Sequence, residues 1–478
     1  MSASPSGYII LRNGTVLVHE GAHVKPLRGH DILIEGNTIK KIGQGLELPP
    51  GGQEVDCTRK IISPGFVDTH HHVWQTQLKG RHCDHTLTQY YPTGNMQPFN
   101  YKPEDVFWGQ LAGCLQSIDG GVTTVVDHAH MTYSPDHVDE GLRASVSSGL
   151  RMFFCYSAIP LVKSWSSTLE YEPEFPPSWW LTTLERLLKT EPFGSGRVNL
   201  GVALDFMYGQ EVVLDLWKKA RELNVKLLTS HYVPRFETES TVQLLSEHNL
   251  LSPTTVLSHA NDLSETDAHS LVKNDIFVAA TPETELQMGH GYPVAFHPAI
   301  KSHTSFGIDC HSNNSADMLT QMRLALQHSR ATGNLATRQN GEMPRVDITV
   351  EEAFNLGTIQ GAKAVNMADQ TGSLAEGKRA DIVVFDATSP GMVCAAEENP
   401  VGAILLHAGV RDIEMVIVDG QVRKEGGRLR PVEILEKVDA AEGVETGWDE
   451  IAKHLLESRE RIIQRSQGQD FAAAKLGL

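Results

Sequence analysis

Three consecutive histidines, His70, His71 and His72, follow an apolar run that ends at Val67. If this run is a buried strand, successive side chains point to opposite faces, so His70 and His72 share one face. Two neutral imidazoles on one side of a strand end can bind one divalent metal ion. A surface histidine run is the alternative interpretation, because short motifs often arise by chance.

Polar residues also end strands that we predict later in the chain. His231 ends the predicted fifth strand, His259 ends the sixth, and Asp309 ends the eighth. In a parallel β/α barrel the carboxyl ends of the strands meet at one rim, where active sites lie. Nitrogen and oxygen donors that converge there suit a divalent transition metal. The pattern therefore predicts a metal-dependent active site at the rim.

The barrel prediction depends on eight short apolar runs that are separated by stretches of helical period. The predicted strands are 61–67, 123–128, 151–157, 198–205, 226–231, 254–259, 276–281 and 304–309. The helical stretches include 104–118, 212–223, 238–248, 316–328 and 350–365. An open doubly wound sheet is the alternative, but no Gly-rich phosphate loop follows the first strand, which counts against a dinucleotide-binding fold.

The segments on either side of these runs have the pattern of strands. Asn13-Gly14 and Asp419-Gly420 lie between apolar runs and predict hairpin turns. We therefore predict an α/β fold in which a (β/α)8 TIM-like barrel carries a composite β-sandwich built from both termini. The predicted domains are 1–62 and 369–430 for the sandwich and 63–368 for the barrel. A C-terminal helical extension follows at 431–478, with a charged helix over 432–465.

Composition limits the possible partners and the compartment. The 478 residues include 41 Lys and Arg against 59 Asp and Glu, and the net charge of −18 argues against nucleic acid and anionic membranes. No run approaches the length of a membrane span. The six cysteines form no C-x-x-C pair, and Met1–Gly7 lacks an apolar signal core. We expect a cytoplasmic homo-oligomer, a dimer or larger, that acts on a small molecule.

Three motifs carry a resemblance to a known family. The first motif is Pro64-Gly65-Phe66-Val67-Asp68-Thr69-His70-His71-His72. The second is Phe306-Gly307-Ile308-Asp309, followed by Ser312-Asn313-Asn314 and Asp317-Met318-Leu319. The third is Gly372-Ser373-Leu374-Ala375-Glu376-Gly377-Lys378-Arg379-Ala380-Asp381-Ile382-Val383. Together they resemble the amidohydrolase superfamily, in its branch of cytosine deaminase, guanine deaminase and the triazine hydrolases. The resemblance covers nearly the whole chain and implies the barrel and sandwich described above.

The resemblance also implies a set of metal ligands, which are His70, His72, His231 and Asp309. It places His259 beside the metal, in contact with the substrate or the attacking water. Relatives with two metals bridge them by a carboxylated lysine at the end of the fourth strand, but here that end reads Leu204-Asp205-Phe206-Met207. We therefore expect one divalent ion. Zinc is the first hypothesis, and Fe²⁺ is the alternative.

The chemistry that this set implies is hydrolysis of a non-peptide C–N bond in a nitrogen-containing heterocycle. A divalent metal lowers the pKa of its water ligand, and Asp309 can accept a proton as the general base. An aminohydrolase, that is a deaminase, is the first hypothesis. A cyclic amide or N-substituent hydrolase is the alternative, and a non-catalytic scaffold is a more remote one, although none of the expected ligands is lost.

The acid that protonates the leaving nitrogen is less clearly marked. Deaminase relatives carry a glutamate three residues after the fifth-strand histidine, where this chain has Pro234. Glu285 stands in the place of a substrate-binding Asn of the family, so we expect it to bind substrate and to donate the proton. Glu237, displaced by three residues, is the second candidate, and Asp309 acting alone is the third.

Other substrate contacts are expected from the loop that follows His72. Trp74 and Gln75 in this loop are expected to cap the pocket, and an aromatic rim would suit a flat heterocycle. His128, at the end of the second strand, is expected to form part of the pocket wall. A purely structural role remains the alternative for each of these residues.

Overall fold

A computed structural model of the chain describes residues 7–473, except 235, 236 and 238. Most of the N-terminal stretch discussed above, and Arg235, Phe236 and Thr238 after the fifth strand, therefore lie outside the described residues. By their internal contacts the residues group into two compact units. One comprises 1–68, 117–124 and 317–430, and the other comprises 69–116, 125–316 and 431–478. The predicted domain limits stay a prediction.

The strands are short and largely apolar on at least one face. In chain order they are β1 (Tyr8–Glu20), β2 (His23–Glu35), β3 (Thr38–Gly43), β4 (Gln53–Asp56), β5 (Lys60–Pro64), β6 (Phe66–His71), β7 (Val122–Ala129), β8 (Arg151–Ala158), β9 (Val162–Trp165), β10 (Leu169–Tyr171), β11 (Val198–Leu204), β12 (Leu228–Tyr232), β13 (Thr255–His259), β14 (Phe277–Ala280), β15 (Thr304–Phe306), β16 (Ile382–Asp386), β17 (Ile413–Val418), β18 (Gln421–Glu425), β19 (Arg428–Leu429), β20 (Val432–Leu435) and β21 (Gly443–Thr446).

The helices lie between β6 and β17, except α14, which follows β21. They are α1 (Leu87–Thr93), α2 (Pro103–Asp119), α3 (Pro135–Ser148), α4 (Trp179–Leu188), α5 (Gln210–Glu222), α6 (Thr241–Glu247), α7 (Glu265–Lys273), α8 (Pro282–Gln287), α9 (Met318–Gln339), α10 (Val350–Leu356), α11 (Ile359–Ala364), α12 (Ala395–Glu398), α13 (Pro400–Leu406) and α14 (Trp448–Arg465). Several begin at a capping side chain, such as Ser134, Ser264 and Asp317, which accepts a hydrogen bond from the first turn.

Eight strands form a parallel sheet in the order β15-β14-β13-β12-β11-β8-β7-β6. A parallel bridge between His71 and Asp309 joins the two ends of this order, so the sheet is a nearly closed barrel. The predicted (β/α)8 fold is confirmed, and the open doubly wound alternative is wrong. The strands predicted from residue 123 onward agree with β7, β8 and β11–β15 to within three residues at each end.

Strands from both ends of the chain meet in a second sheet, as predicted. Its order is β19-β18-β17-β16-β5-β1-β2-β3, with β4 paired to β1. The N-terminal and C-terminal segments join where β5 pairs antiparallel with β16, with Ile62 opposite Val384 and Pro64 opposite Ile382. Ile62, Ile382 and Val384 are buried in an apolar core that the strands of both segments share.

Two sequence predictions about strand ends are wrong. The predicted strand 61–67 is two strands, β5 and β6, which separate at Gly65. A Cβ at Gly65 would lie 2.1 Å from Thr123 Oγ1, so only glycine fits at this separation. Asn13-Gly14 is not a hairpin turn: β1 runs through it as an irregularity in register, and Asn13, with φ 57°, donates its backbone N–H to Asp31.

Three predicted helices also differ from the structure. The helix predicted over 316–328 continues to Gln339 as α9. The predicted helix over 432–465 is correct only from Trp448 onward, because β20 and β21 pair antiparallel before it. The predicted helix over 350–365 is two helices, α10 and α11, which separate at Gly357 and Thr358. Among the described residues, no helix is both long enough and apolar enough to span a membrane.

Candidate metal centre and active site

The first histidine motif alternates across β6 as a buried strand should. The rings of His70 and His72 lie 4.8 Å apart between centroids, on the same side of the strand. His71 points away from them, and its Nε2 lies 2.6 Å from Nδ1 of His311. The strand therefore presents two imidazoles to the barrel rim and uses the third for buried packing.

Four predicted ligands converge at the rim. Oδ1 of Asp309 lies 3.1 Å from Nε2 of His72 and 3.3 Å from Nε2 of His70. Nε2 of His231 lies 3.2 Å from Nε2 of His72. A set of four donor atoms also lies within 4.8 Å of one another, with one atom each from His70, His231, His259 and Asp309. The structure thus brings together the ligands that the resemblance implied, with His259 at the same centre.

The opposite edges of these rings are fixed by oxygen atoms. Nδ1 of His72 donates to the carbonyl oxygen of His128 at 2.9 Å, and Nδ1 of His231 donates to Asp205 at 2.9 Å. Burial alone would lower the pKa of His231, but the charge of Asp205 raises it. In the neutral forms of both rings, the two Nε2 atoms that face each other carry lone pairs. A cation between them would remove this repulsion, so the donor set fits a divalent metal.

Burial and charge set the protonation of the site. Burial lowers the pKa of His70 and His72, and it lowers the pKa of His259 to about 4, so these rings are neutral near pH 7. Burial opposes ionisation of Asp309, but the close imidazoles of His70 and His72 hold its pKa well below the usual range. Neutral imidazoles beside an ionised carboxylate are the forms that bind zinc.

The backbone is strained at two of these positions. His259 has φ 72° and Asp309 has φ 65°, and both values lie in the left-handed region that non-glycine residues rarely adopt. Each such residue costs about 1–3 kcal/mol and persists where the surrounding structure holds it. Both lie at the end of a barrel strand, where active-site residues are expected.

A cavity of about 780 Å³, including its mouth, opens beside the ligands. Its lining includes His72, His231, His259 and Asp309. The other lining residues are Leu87, Tyr90, Tyr91, Asn95, Asp205, Phe206, Met207, Val233, Glu237, Thr284, Met288, His290 and Cys310. Its size is that of a small-molecule site, and most of its wall away from the ligands is apolar or aromatic.

Three of the predicted substrate contacts lie outside this lining. Trp74 and Gln75 are fully buried in a short 3-10 helix, and Trp74 packs edge-on against Tyr101. Gln75 donates to the hydroxyl of Tyr90 at 2.5 Å, so it supports a lining residue. His128 contributes its carbonyl oxygen to His72, as described above. Their roles as substrate contacts stay predictions.

Glu285 lies behind His259. Its Oε1 accepts the backbone N–H of Thr281 at 2.8 Å and lies 3.6 Å from Nδ1 of His259, which also contacts Thr281 Oγ1 at 2.9 Å. Glu285 is fully buried, and burial raises its pKa to about 7. Glu285 is not among the described residues that line the cavity. Its position suits orientation of the His259 ring.

Glu237, the second candidate acid, does line the cavity. Its Oε2 accepts the backbone N–H of Thr241 at 3.0 Å, at the start of α6, and its own N–H donates to the Pro234 carbonyl at 3.1 Å. Burial raises the pKa of Glu237 to about 7. A carboxyl group of this pKa can hold and release a proton near neutral pH.

Most of the apolar wall of the cavity was not predicted from the sequence. Phe206 and Met207 follow β11 directly, so their place after a barrel strand was a signal that could have found them. Cys310 lies in the loop that follows β15, whereas Met288 follows the end of α8. Leu87 belongs to α1, a short helix in the segment after β6, and no strand end marks it.

The family of the chain follows from comparison with known proteins. The model of the amidohydrolase family matches residues 61–423, so the chain belongs to this family. It is a metal-dependent hydrolase of C–N bonds other than peptide bonds, as the motifs predicted. A divalent metal fits its cluster of histidines and Asp309.

Curated relatives include several deaminases. The 5-methylthioadenosine/S-adenosylhomocysteine deaminase of Thermococcus sibiricus is 28% identical over 431 residues, which cover 87% of this chain and 93% of the relative. The 5'-deoxyadenosine deaminase of Methanosphaera stadtmanae is 27% identical over 436 residues, covering 88% and 94%.

Solved structures share the fold at lower identity. An adenosine deaminase from Xanthomonas campestris with bound zinc has a TM-score of 0.76 at 18% identity, covering 95% of this chain and 98% of that one. Atrazine chlorohydrolase from Arthrobacter aurescens, complexed with zinc, has a TM-score of 0.76 at 19% identity, covering 94% and 100%.

Proposed function

We propose that the protein is an aminohydrolase that replaces an amino group on a nitrogen heterocycle of the aminopurine type by oxygen and releases ammonia. The observation that carries the proposal is Glu237, a half-buried carboxyl of pKa about 7 in a cavity shared with the proposed metal ligands. Deamination needs such a group, because the nitrogen must leave as a neutral amine. The curated deaminases that resemble this chain support the same class of reaction.

The metal would be held by His70, His72, His231 and Asp309. When bound there, a divalent ion lowers the pKa of a water ligand and makes it a nucleophile near neutral pH. We propose zinc rather than Fe²⁺, because three imidazoles and one carboxylate form a usual zinc set. His259, neutral and held through Nδ1 by Thr281, would face the substrate or the attacking water.

The proton balance can be written with residues of this chain. Asp309 takes the proton of the attacking water, and a C–O bond forms at the ring carbon that bears the amino group. The C–N bond then breaks, its electron pair stays on nitrogen, and Glu237 supplies a proton so that ammonia leaves. Asp309 then releases the proton that it took from the water. This proton passes through the solvent of the cavity and protonates Glu237 again.

This assignment replaces our expectation that Glu285 is the acid. Glu237 lines the cavity, whereas Glu285 contacts the far side of the His259 ring. We propose that Glu285 positions His259 and that Glu237 transfers the proton. Leu87, Phe206, Met207 and Met288 would contact the flat faces of the ring, as apolar walls do in sites for heterocycles.

The proposal is tested by assaying ammonia release with the zinc-loaded protein. The panel contains 5'-methylthioadenosine, 5'-deoxyadenosine, adenosine, guanine, cytosine and an N-alkylamino triazine, and His70→Ala is the control. We expect one ammonia for each aminopurine consumed and none with the control. Release of an alkylamine from the triazine, or ring opening without ammonia, would instead support the alternative hydrolase. No turnover of the panel by the loaded protein would contradict the proposal.

Two further expectations remain proposals. We propose that the protein is a homo-oligomer, a dimer or larger, which light scattering on the purified chain would check. We also propose that it works in the cytoplasm. All six cysteines are free thiols, and four of them are buried, which suits a reducing compartment.

A further inference from the structure

A second group of potential metal ligands lies next to the catalytic centre. His128 and His130, at the end of β7, face Asp205, which follows β11. Four donor atoms lie within 4.8 Å of one another here, with one atom each from His128, His130, Asp205 and His231. His128, His130 and Asp205 are at most 2% exposed, so the group is shielded from bulk water.

The histidines of this group are short of hydrogen-bond partners. Among the described residues, neither ring nitrogen of His130 has a hydrogen-bond partner, and Nδ1 of His128 has none. Nε2 of His128 approaches Oδ2 of Asp205 at 3.3 Å. A buried polar nitrogen without a partner costs about 1–3 kcal/mol. Two such rings side by side therefore point to a ligand that they hold in common.

The geometry separates this group from the catalytic ligands. His231 directs Nε2 toward His72 and Nδ1 toward Oδ1 of Asp205. The other carboxylate oxygen of Asp205, Oδ2, faces His128. The carboxylate thus connects two sets of donors, one on each of its oxygen atoms. A cation on the His128 side would not need either ring nitrogen of His231.

We propose that His128, His130 and Asp205 form a second divalent cation site, distinct from the catalytic one, that takes zinc. Two imidazoles and one carboxylate are a common zinc donor set, and water can complete the coordination. The carboxylate would share its charge between the second ion and the imidazole of His231. Binding of the second ion therefore weakens the hold of Asp205 on a catalytic ligand.

Two nearby dications repel each other, so the second ion binds more weakly than the first. Coupling between two sites commonly amounts to about 5–150-fold in affinity and is reciprocal. We expect two steps in the zinc isotherm of the full chain, and their separation combines this coupling factor with the difference between the intrinsic affinities of the two sites. Excess zinc should also weaken the first site by the same factor, which chelator competition measures.

The experiment is equilibrium dialysis of the full-length protein against increasing zinc, with the bound metal measured by elemental analysis. The variants are His130→Gln and His128→Asn, and His82→Gln is the matched control, because His82 is a buried histidine outside both groups. We expect two equivalents for the wild type and for His82→Gln. We expect one tight equivalent for each of the other two variants.

Several results would overturn the proposal. A wild-type isotherm that saturates at one equivalent would show that no second site exists, whatever the variants do. If both His130→Gln and His128→Asn still bind a weak second equivalent of zinc, the second ion is bound by surface histidines and not by this group. If either variant fails to fold, as judged by circular dichroism, the wild type and the remaining variant still decide the matter.

Discussion

Asp205 accepts two hydrogen bonds from His231, both onto Oδ1 and both at 2.9 Å, one from the backbone N–H and one from Nδ1. The carboxylate fixes the ring so that Nε2 faces the other ligands. Burial opposes ionisation of Asp205, but its interactions with the His231 and His128 imidazoles hold its pKa well below the usual range. Asp205 would therefore act on a metal held at the proposed site through His231.

Asp205→Asn should weaken zinc binding at the catalytic site by about 10–100-fold, the usual effect of losing a group that orients a metal ligand. The reason is that an amide keeps the shape but loses the charge that polarises Nδ1 of His231. Chelator competition measures the change. Asp267→Asn is the control, since Asp267 is a buried carboxylate that bonds Tyr232 and Ser240, and its loss should leave zinc affinity unchanged. Equal losses in both variants would contradict the role of Asp205.

His70→Ala should remove the tight equivalent of zinc and all turnover. His72, His231 and Asp309 would remain, but the set of four proposed ligands would be incomplete, so the ion should be lost during dialysis. Elemental analysis after dialysis against metal-free buffer gives the count, and the wild type should keep about one equivalent. Full zinc retention by His70→Ala would remove His70 from the ligand set.

Gly307→Ala should displace His70 and so reduce both stability and zinc content. A Cβ at Gly307 would lie 2.7 Å from the His70 carbonyl oxygen and 2.8 Å from its Cβ, and overpacking of this kind costs about 1–3 kcal/mol. The matched control is Gly333→Ala within α9, where no atom lies within 4 Å of the new Cβ. That variant should gain about 0.5–1 kcal/mol from helix propensity. Urea unfolding measures both, and a stable, zinc-replete Gly307→Ala would contradict the close contact.

The barrel and the rim ligands could be predicted because their signals are local. Each strand is a short apolar run, and the polar residue that ends it faces the rim whatever the rest of the chain does. His231, His259 and Asp309 were found in this way, and alternation within β6 assigned His70 and His72 to one face.

The positions of Glu285 and Trp74 could not be predicted, because they depend on the structure that follows the strand. α8 begins at Pro282, directly after β14, and its first turn carries Glu285 to the outer side of His259. Trp74 lies in a 3-10 helix that turns it inward against Tyr101. A strand end fixes the direction of the residue that closes it but not of a residue several positions later.

Asn13-Gly14 shows the limit of turn signals. An Asn-Gly pair supplies positive φ, which a hairpin turn and a strand irregularity both use. Here Asp31 accepts the N–H of Asn13, and a Cβ at Gly14 would lie 2.5 Å from Ile62 Cδ1. The contact with a distant strand therefore decides between the two outcomes, and local sequence does not contain it.

Glu285→Gln should reduce turnover less than tenfold and keep the zinc. The amide oxygen can still accept the N–H of Thr281, so His259 stays close to its present orientation. Glu285 also has a pKa of about 7. If it only positions His259, Glu285→Gln should still lose activity as the pH rises through about 7, as the wild type does. Loss of that fall in Glu285→Gln would transfer the role of the acid to Glu285.

The pH dependence of turnover in Glu237→Gln is the most direct measurement of the proposed mechanism. Glu237 is an acid only while protonated, and its pKa is raised to about 7, so wild-type activity should fall as pH rises through about 7. Glu237→Gln should lose about 10²–10⁴-fold in kcat and lose this fall, while it keeps its zinc. A zinc-replete Glu237→Gln with wild-type turnover and an unchanged pH profile would contradict the account.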